Sequence, residues 1–360
     1  MNRSTAEDTR VYFPLLADPD SYRPNTIDMA SDAEVRKYWL DVFEHHTESL
    51  RRHAIESDGR PDAAERAAAC CEKFDAMVQR LRVEPNLLGP LSILVLCDLR
   101  TQYLAEYDFD DPYRPLKQRE NDAAMRLLPD VFRELNKHHG NELLLTLVRG
   151  IFAGNIFDMG CASTVGLYER GQMDFHSVRE RLPERPWRVD DFDALAARWA
   201  DRRYQKAVMF IDNAGADFVL GMLPLARHLL QRGMDLVITA NTAPALNDVI
   251  YPELVELIDR VSRVETTFAD ALDAGQLMLV PSGNHLPVID LSKVTPQLAE
   301  AAEGADLLII EGMGRALETN YHTRFTCDTL KVAMVKEQNV ADLFPGGELY
   351  DVVCRFEPID

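Results

Sequence analysis

The chain has 360 residues, with 39 Lys+Arg against 59 Asp+Glu and a formal charge of −20. Such acidity argues against nucleic-acid binding, which needs Lys and Arg to displace counterions from phosphates, and less strongly against docking on an anionic membrane face. It leaves room for a small anionic substrate, because a few local cations can outvote the global field.

The composition, 46% hydrophobic, is that of an ordinary globular protein long enough for one large core or two packed lobes. No run of about 18 apolar residues occurs, so no membrane span is expected. The first residues, MNRSTAEDTR, lack the apolar stretch of a secretory signal. Cys70, Cys71, Cys97, Cys161, Cys327 and Cys354 show no zinc-site spacing, which points to reduced thiols in a cytoplasmic protein.

In chain order, Ser31 and Glu34 fit a capping box that opens a helix bearing Val35, Tyr38, Trp39, Val42 and Phe43. A second helix runs through Phe74, Met77, Val78 and Leu81 until Pro85 and Gly89-Pro90 break it. Helical patterns follow at Leu91–Tyr107, Asn121–His138 and Glu142–Gly150, the first ended by the acidic turn Asp108–Pro112. After Trp187 short apolar runs alternate with helical segments. The runs are Ala207–Ile211, Leu236–Ala240, Leu277–Val280, Leu307–Ile310, Val332–Val335 and Tyr350–Phe356. This alternation predicts an α/β fold with a mostly parallel sheet covered on both faces, against which the helical first half packs. Ligands of such sheets bind beyond the carboxyl ends of the strands.

The strand ends carry oxygen-rich and cationic groups. The run AVMFI delivers Asp212 and Asn213, with Gly215 free to make a tight turn, and Asp217 follows. The run LVITA ends in Asn241, and Asp248 lies in the loop beyond it. Asp212, Asn213 and Asp248 together would form a hard, all-oxygen site suited to Mg²⁺ or Mn²⁺; each also suits a helix cap. The run LLII feeds Glu311-Gly312-Met313-Gly314-Arg315, a turn whose backbone can approach an anion and whose arginine can clamp one, or a simple strand-to-helix connection. Lys336 stands at the mouth of VAMV as a phosphate partner or a solvated lysine, and His322 is a weaker candidate upstream. Asn155 and Asp158 would share one helix face turned to the crevice, or serve as caps and helix–helix contacts.

Taken together, FAGNIFDMG, ERPW, FIDNAGADFVLGMLPLARHLLQRG, ANTAPALND, IIEGMGRALETNYH and LKVAMVK resemble the damage-control phosphatases, in the order that family shows. The resemblance continues upstream through RKYWLDVFEH and DPYRPLKQREN, covers Leu15 to Phe356, and through EGMGR is similar to subfamily II. It implies a helical lobe over residues 1–190 packed on a Rossmann-like α/β domain over 191–360. It also implies phosphatase activity on 4′-phosphopantetheine and its oxidised or sulfonated forms, in coenzyme A homeostasis. The family's metal ligands fall on Asp212, Asn213 and Asp248, with Mn²⁺, Ni²⁺, Co²⁺ or Mg²⁺ as the ion, and its phosphate-contacting lysine falls on Lys336. Asp217 stands where other branches carry Glu, which leaves its role open. In the animal relative this domain is joined to a kinase-like region. No P-loop pattern occurs here, so a stand-alone phosphatase is expected.

The resulting expectation is metal-assisted hydrolysis of a small phosphorylated metabolite. Asp212 and Asp248 are the catalytic carboxylates, and Lys336 and the Glu311–Arg315 turn hold the phosphate oxygens. Attack by water and attack by Asp212 both remain open, as does assembly into a homo-oligomer. The alternatives are a sugar-phosphate phosphatase, a non-catalytic module that senses phosphorylated metabolites, and a methyltransferase or nucleotide-binding enzyme. The last would need a Gly-rich first loop where this chain has Asp-Asn-x-Gly.

Overall fold

The computed structural model describes residues 10–157 and 182–359. Its strands are β1 (Val189–Asp190), β2 (Lys206–Phe210), β3 (Asp235–Ala240), β4 (Leu277–Pro281), β5 (Leu307–Glu311), β6 (Asp328–Met334) and β7 (Val352–Glu357). Helices α1 (Ala33–Ser57), α2 (Ala63–Val83), α3 (Ile93–Glu106), α4 (Arg114–Leu135) and α5 (Gly140–Phe157) precede the sheet. Helices α6 (Phe192–Asp201), α7 (Leu223–Gln231), α8 (Tyr251–Ser262), α9 (Thr266–Asp273), α10 (Pro296–Ala302) and the short α11 (Gln338–Ala341) alternate with the later strands.

The strands form one sheet in the order β1-β7-β6-β5-β2-β3-β4. Every neighbouring pair is parallel except β6–β7, which is antiparallel with Thr329 opposite Glu357. The chain winds outward in two directions from β2 and β5, whose ends therefore flank the topological switch point where such sheets open a crevice.

Period-2 side-chain direction explains why these runs are apolar at nearly every position. Ala207, Met209, Leu236, Ile238, Leu307 and Ile309 enter a core shared with α4 through α9. Val208, Phe210, Val237, Leu308 and Ile310 point the other way, into a core with α1–α3, α10 and the segment around Phe13. Each fully buried Leu, Ile or Phe contributes about 1.5–3 kcal/mol, so both faces are held by comparable forces. The helical first part thus joins both cores: α1–α3 cover one face and α4–α5 the other.

Several boundaries differ from the sequence reading. The cap of α1 is Asp32, whose carboxylate accepts from the Glu34 and Val35 amides, while Ser31 hydrogen-bonds Asp28 instead. Helix α4 begins at Arg114, seven residues before the predicted start, and α5 extends seven residues beyond Gly150 to carry Asn155. The two-residue β1 is too short to leave a periodic signal. Asp158 and Cys161 lie outside the described residues; the other five cysteines are free and buried. Among the described residues no helix is long and apolar enough to cross a membrane.

Candidate active site

The mouth of β2 turns inward at once. Asp212 and Asn213 follow the strand, and Asp217 opens a wide π-helical turn, Asp217–Met222, that leads into α7. Gly215 makes this possible: its φ is +71°, and a Cβ there would stand 2.7 Å from the Cβ of Glu120 on α4. Its amide donates to Asn121 Oδ1 at 2.7 Å. Beyond β5 the pattern repeats, with Glu311, then Gly312 at φ +101°, then a second π-helical turn, Met313–Thr319, bearing Arg315. π-Turns of this kind concentrate at functional sites. The loop after β3 runs from Asn241 to Asp248, passes through Leu246 in the left-handed region (φ 51°), and bridges Asp248 to Asn213.

These turns gather carboxylates out of water. Asp212, Asp217 and Glu311 each offer an oxygen within 4.8 Å of the other two, and all three are buried. Burial raises all three carboxyl pKa values. For Asp212 it outweighs the Arg315 guanidinium and leaves the carboxyl at about 6. Glu311 goes well above the usual range, with the charges of Asp217 and Asp212 adding to burial. Burial likewise raises Asp217, against Lys336 and the hydrogen bonds it accepts.

Asparagines orient the cluster. Asn155 Nδ2 donates to Asp217 Oδ2 and to Glu311 Oε1, both at 2.9 Å, and Asn213 Nδ2 donates to Asp217 Oδ2 at 3.1 Å. Asp217 Oδ1, Glu311 Oε2 and Asn155 Oδ1 are buried without any hydrogen-bond partner. Buried oxygens are rarely left so. An oxygen-only donor set with orphaned lone pairs fits a hard divalent cation.

Arg315 braces Asp212 and Asp248. It is 1% exposed. Its Nη2 donates to Asp248 Oδ2 at 2.7 Å, and its Nε lies 2.9 Å from Asp212 Oδ1, an ion-pair distance although the N–H is not lined up for a hydrogen bond. Asn241 Nδ2 donates to the same Asp248 oxygen at 2.9 Å. Burial raises the Asp248 carboxyl well above its ordinary value, against the pull of Arg315.

A cavity of about 470 Å³ reaches Asp212 and Asp248. Asp212, Asn213, Asp248, Gly314 and Lys336 line it, whereas Asn155, Asp217, Asn241, Glu311, Gly312 and Arg315 are not among its lining residues. Lys336 is half-buried, its amide donates to the Met313 sulfur at 3.1 Å, and its positive charge lowers the pKa of each carboxylate in the cluster. His322 is not among the lining residues: it is exposed, before the start of β6, and edge-on to Tyr321. Three residues outside the predicted set support the site. Lys117, fully buried, meets Asp111 (3.0 Å) and Glu253 (2.9 Å) and donates to the Asp248 carbonyl (3.4 Å). Asn121 holds the Gly215 turn, and burial raises the Glu120 carboxyl to about 7. The run RPLKQREN carried all three. An isolated charged residue on a helix gives no sign of the strand loop it meets.

Buried carboxylates at the switch point of a parallel sheet, with a lysine and an arginine beside them, define an α/β site fitted to a cation and an anion together. Residues 37–352 match the damage-control phosphatase ARMT1-like domain, and the chain belongs to that family. It is 40% identical to a damage-control phosphatase of Arabidopsis thaliana, over 95% of this chain and 90% of that protein. It is 42% identical to pantothenate kinase 2 of the same plant and 34% identical to the 4′-phosphopantetheine phosphatase of Mus musculus, over 96% of this chain in both comparisons. The chain spans 42% and 48% of those two longer relatives. A solved DUF89 family protein of Pyrococcus horikoshii shares the fold, with a TM-score of 0.61 at 16% identity over 88% of this chain and 96% of that one.

Proposed function

We propose that the chain is a divalent-metal-dependent phosphomonoester hydrolase whose substrates are 4′-phosphopantetheine and its oxidised or sulfonated forms. The observation that carries this reading is the buried carboxylate cluster of Asp212, Asp217 and Glu311, in which Asp217 Oδ1 and Glu311 Oε2 lack a hydrogen-bond partner, together with Lys336 on the lining of the cavity that Asp212 reaches. The name of the mouse relative supports the substrate.

Asp212 is the residue common to the buried cluster and the cavity wall. It would hold the cation with Asn213 and Asp248 on the cavity side, and Asp217 and Glu311 would close the site from behind. A bound divalent ion supplies charge neutralisation and Lewis acidity at a phosphate oxygen. The chain's own residues do the rest. Arg315 opposes the effect of burial on Asp212 and Asp248 and fixes their direction, and the Asn155 amide fixes the direction of Asp217 and Glu311. Lys336 and the Gly314 backbone hold the remaining phosphate oxygens as charge builds on them. The burial of Asp212, Asp248 and Arg315 strengthens each of their interactions. The ester P–O bond breaks as the phosphoryl group passes either to the Asp212 carboxylate and then to water, or directly to water, and the leaving alcohol takes up a proton that the attacking water gives up.

The test is phosphate release with Mn²⁺, Co²⁺, Ni²⁺ or Mg²⁺ from 4′-phosphopantetheine, its sulfonate, sugar phosphates and p-nitrophenyl phosphate. Turnover of the first two above the sugar phosphates is expected. Binding without turnover under every metal would replace the enzyme with a sensing module. The stereochemical course at a phosphorus made chiral with oxygen isotopes separates the routes: two in-line displacements through Asp212 give retention, and direct attack by water gives inversion.

A further inference from the structure

The cavity has a second wall that the chemistry at the strand mouths does not use. Helix α1 supplies Trp39, Phe43, His46 and Thr47, and helix α3 supplies Cys97 and Arg100. Arg100 is only 7% exposed. Its guanidinium lies over the Phe43 ring, 5.2 Å from the centroid, and its polar contact is a long one, Nη2 to Cys97 Sγ at 3.9 Å. No carboxylate among the described residues lies within ion-pair distance of it. Arg315, buried to a similar degree, is held by two. A guanidinium withdrawn from water without a counter-charge is costly, and such groups are found paired or facing a ligand. Arg100 faces the cavity.

We infer that Arg100 binds an oxyanion, carboxylate or sulfonate, at the end of the substrate remote from its phosphate. This rests on the phosphomonoester reading of the strand-mouth site. The cavity then offers two acid-binding groups, Asp212 and Lys336 for the phosphate and Arg100 for a second acid, with Trp39 and Phe43 as apolar lining. The planar fork of arginine suits both oxyanions, which offer two or three oxygens to parallel N–H donors. Stacking on Phe43 fixes the plane of the fork without occupying its donors. Arg100 is thus a specificity-determining residue, and a phosphomonoester with a neutral tail leaves its charge unanswered.

The test is calorimetric binding to the metal-loaded enzyme of three non-hydrolysable phosphonates on one pantetheine-length skeleton, ending in carboxylate, sulfonate or methyl. Wild type should bind both acids at least about tenfold more tightly than the methyl compound, as charge-assisted hydrogen bonds imply. Preference for one acid over the other identifies which oxyanion the site prefers. Arg100→Met, which keeps the unbranched stem over Phe43, should bring the acid-to-methyl ratio to about one, and Arg100→Lys should retain part of it. Equal binding of all three ligands by wild type, or an undiminished ratio in Arg100→Met, overturns the inference. If Arg100→Met does not fold, the wild-type ratio and Arg100→Lys decide. An enzyme that shows the ratio but releases no phosphate from any substrate contradicts the phosphatase reading and upholds this one. Turnover of phosphopantetheine without the ratio does the reverse.

Discussion

Replacing Gly312 by alanine strikes the site through its backbone. Gly312 joins β5 to the π-helical turn that carries Arg315, with φ 101° and ψ 146°, a conformation essentially reserved for glycine. A Cβ there would stand 2.0 Å from Asp212 Oδ2 and 2.5 Å from its Cγ, well inside van der Waals contact. The backbone strain costs about 1–3 kcal/mol and the overlap a further 1–3 kcal/mol, so unfolding free energy should fall by about 2–6 kcal/mol. Relief requires Asp212 to swing away from Arg315 Nε, now at 2.9 Å, and from the carboxylate cluster. A displacement near 1 Å at a reacting group costs about a hundredfold in rate, so kcat/KM should drop by at least that factor. Denaturant unfolding and phosphate-release kinetics on the same preparation measure both effects. Wild-type stability together with wild-type kcat/KM in Gly312→Ala would refute the close approach of these two strand ends.

Arg315→Met would leave Asp212 and Asp248 buried without their cation. Loss of one partner from a buried pair costs about 3–5 kcal/mol, and denaturant unfolding with added metal should recover part of it. Asn155→Leu removes the amide shared by Asp217 and Glu311; divalent-metal affinity by calorimetry should weaken about 10–100-fold with little change in the far-UV spectrum. His228, stacked on Trp199, is held down to about 4, first by burial and then by Arg232 and Arg227. Its folded pKa lies below the unfolded 6.5, so its contribution is complete above pH 6.5 and is lost as pH falls from there toward 4. The loss is at most about 3 kcal/mol, and His228→Phe should flatten that limb of a melting-temperature profile relative to wild type.

The strand ends were legible because burial on both faces leaves continuous apolar runs, and each polar interruption then marks a mouth. Asp212, Asn213 and Lys336 stand at such mouths, Asp248 and Gly314 in the loops that follow them, and all five line one cavity. The partners of those residues were not legible. Asn155 meets Asp217 and Glu311 across 62 and 156 positions of chain, and local pattern carries no trace of such pairing. The Gly-x-Gly turn offers Arg315 as a phosphate clamp or a plain strand-to-helix connection; in the fold its guanidinium is engaged by two carboxylates and is not part of the cavity lining. The antiparallel β7 looked like the other strands because its apolar pattern is independent of direction. Arg100 occupies the buried face of α3 with Ile93, Leu96 and Cys97, where a lone charge could have drawn attention.

The central claim is that Asp212 links a bound cation to phosphoester cleavage. Phosphate release from 4′-phosphopantetheine, measured for wild type and Asp212→Asn after chelation and after returning Mn²⁺, tests it most directly. Chelated wild type should be inactive and regain turnover with metal, and Asp212→Asn should stay at least about a thousandfold slower at every metal concentration. Full turnover by the chelated wild type, or metal-restored turnover by Asp212→Asn, would contradict the account.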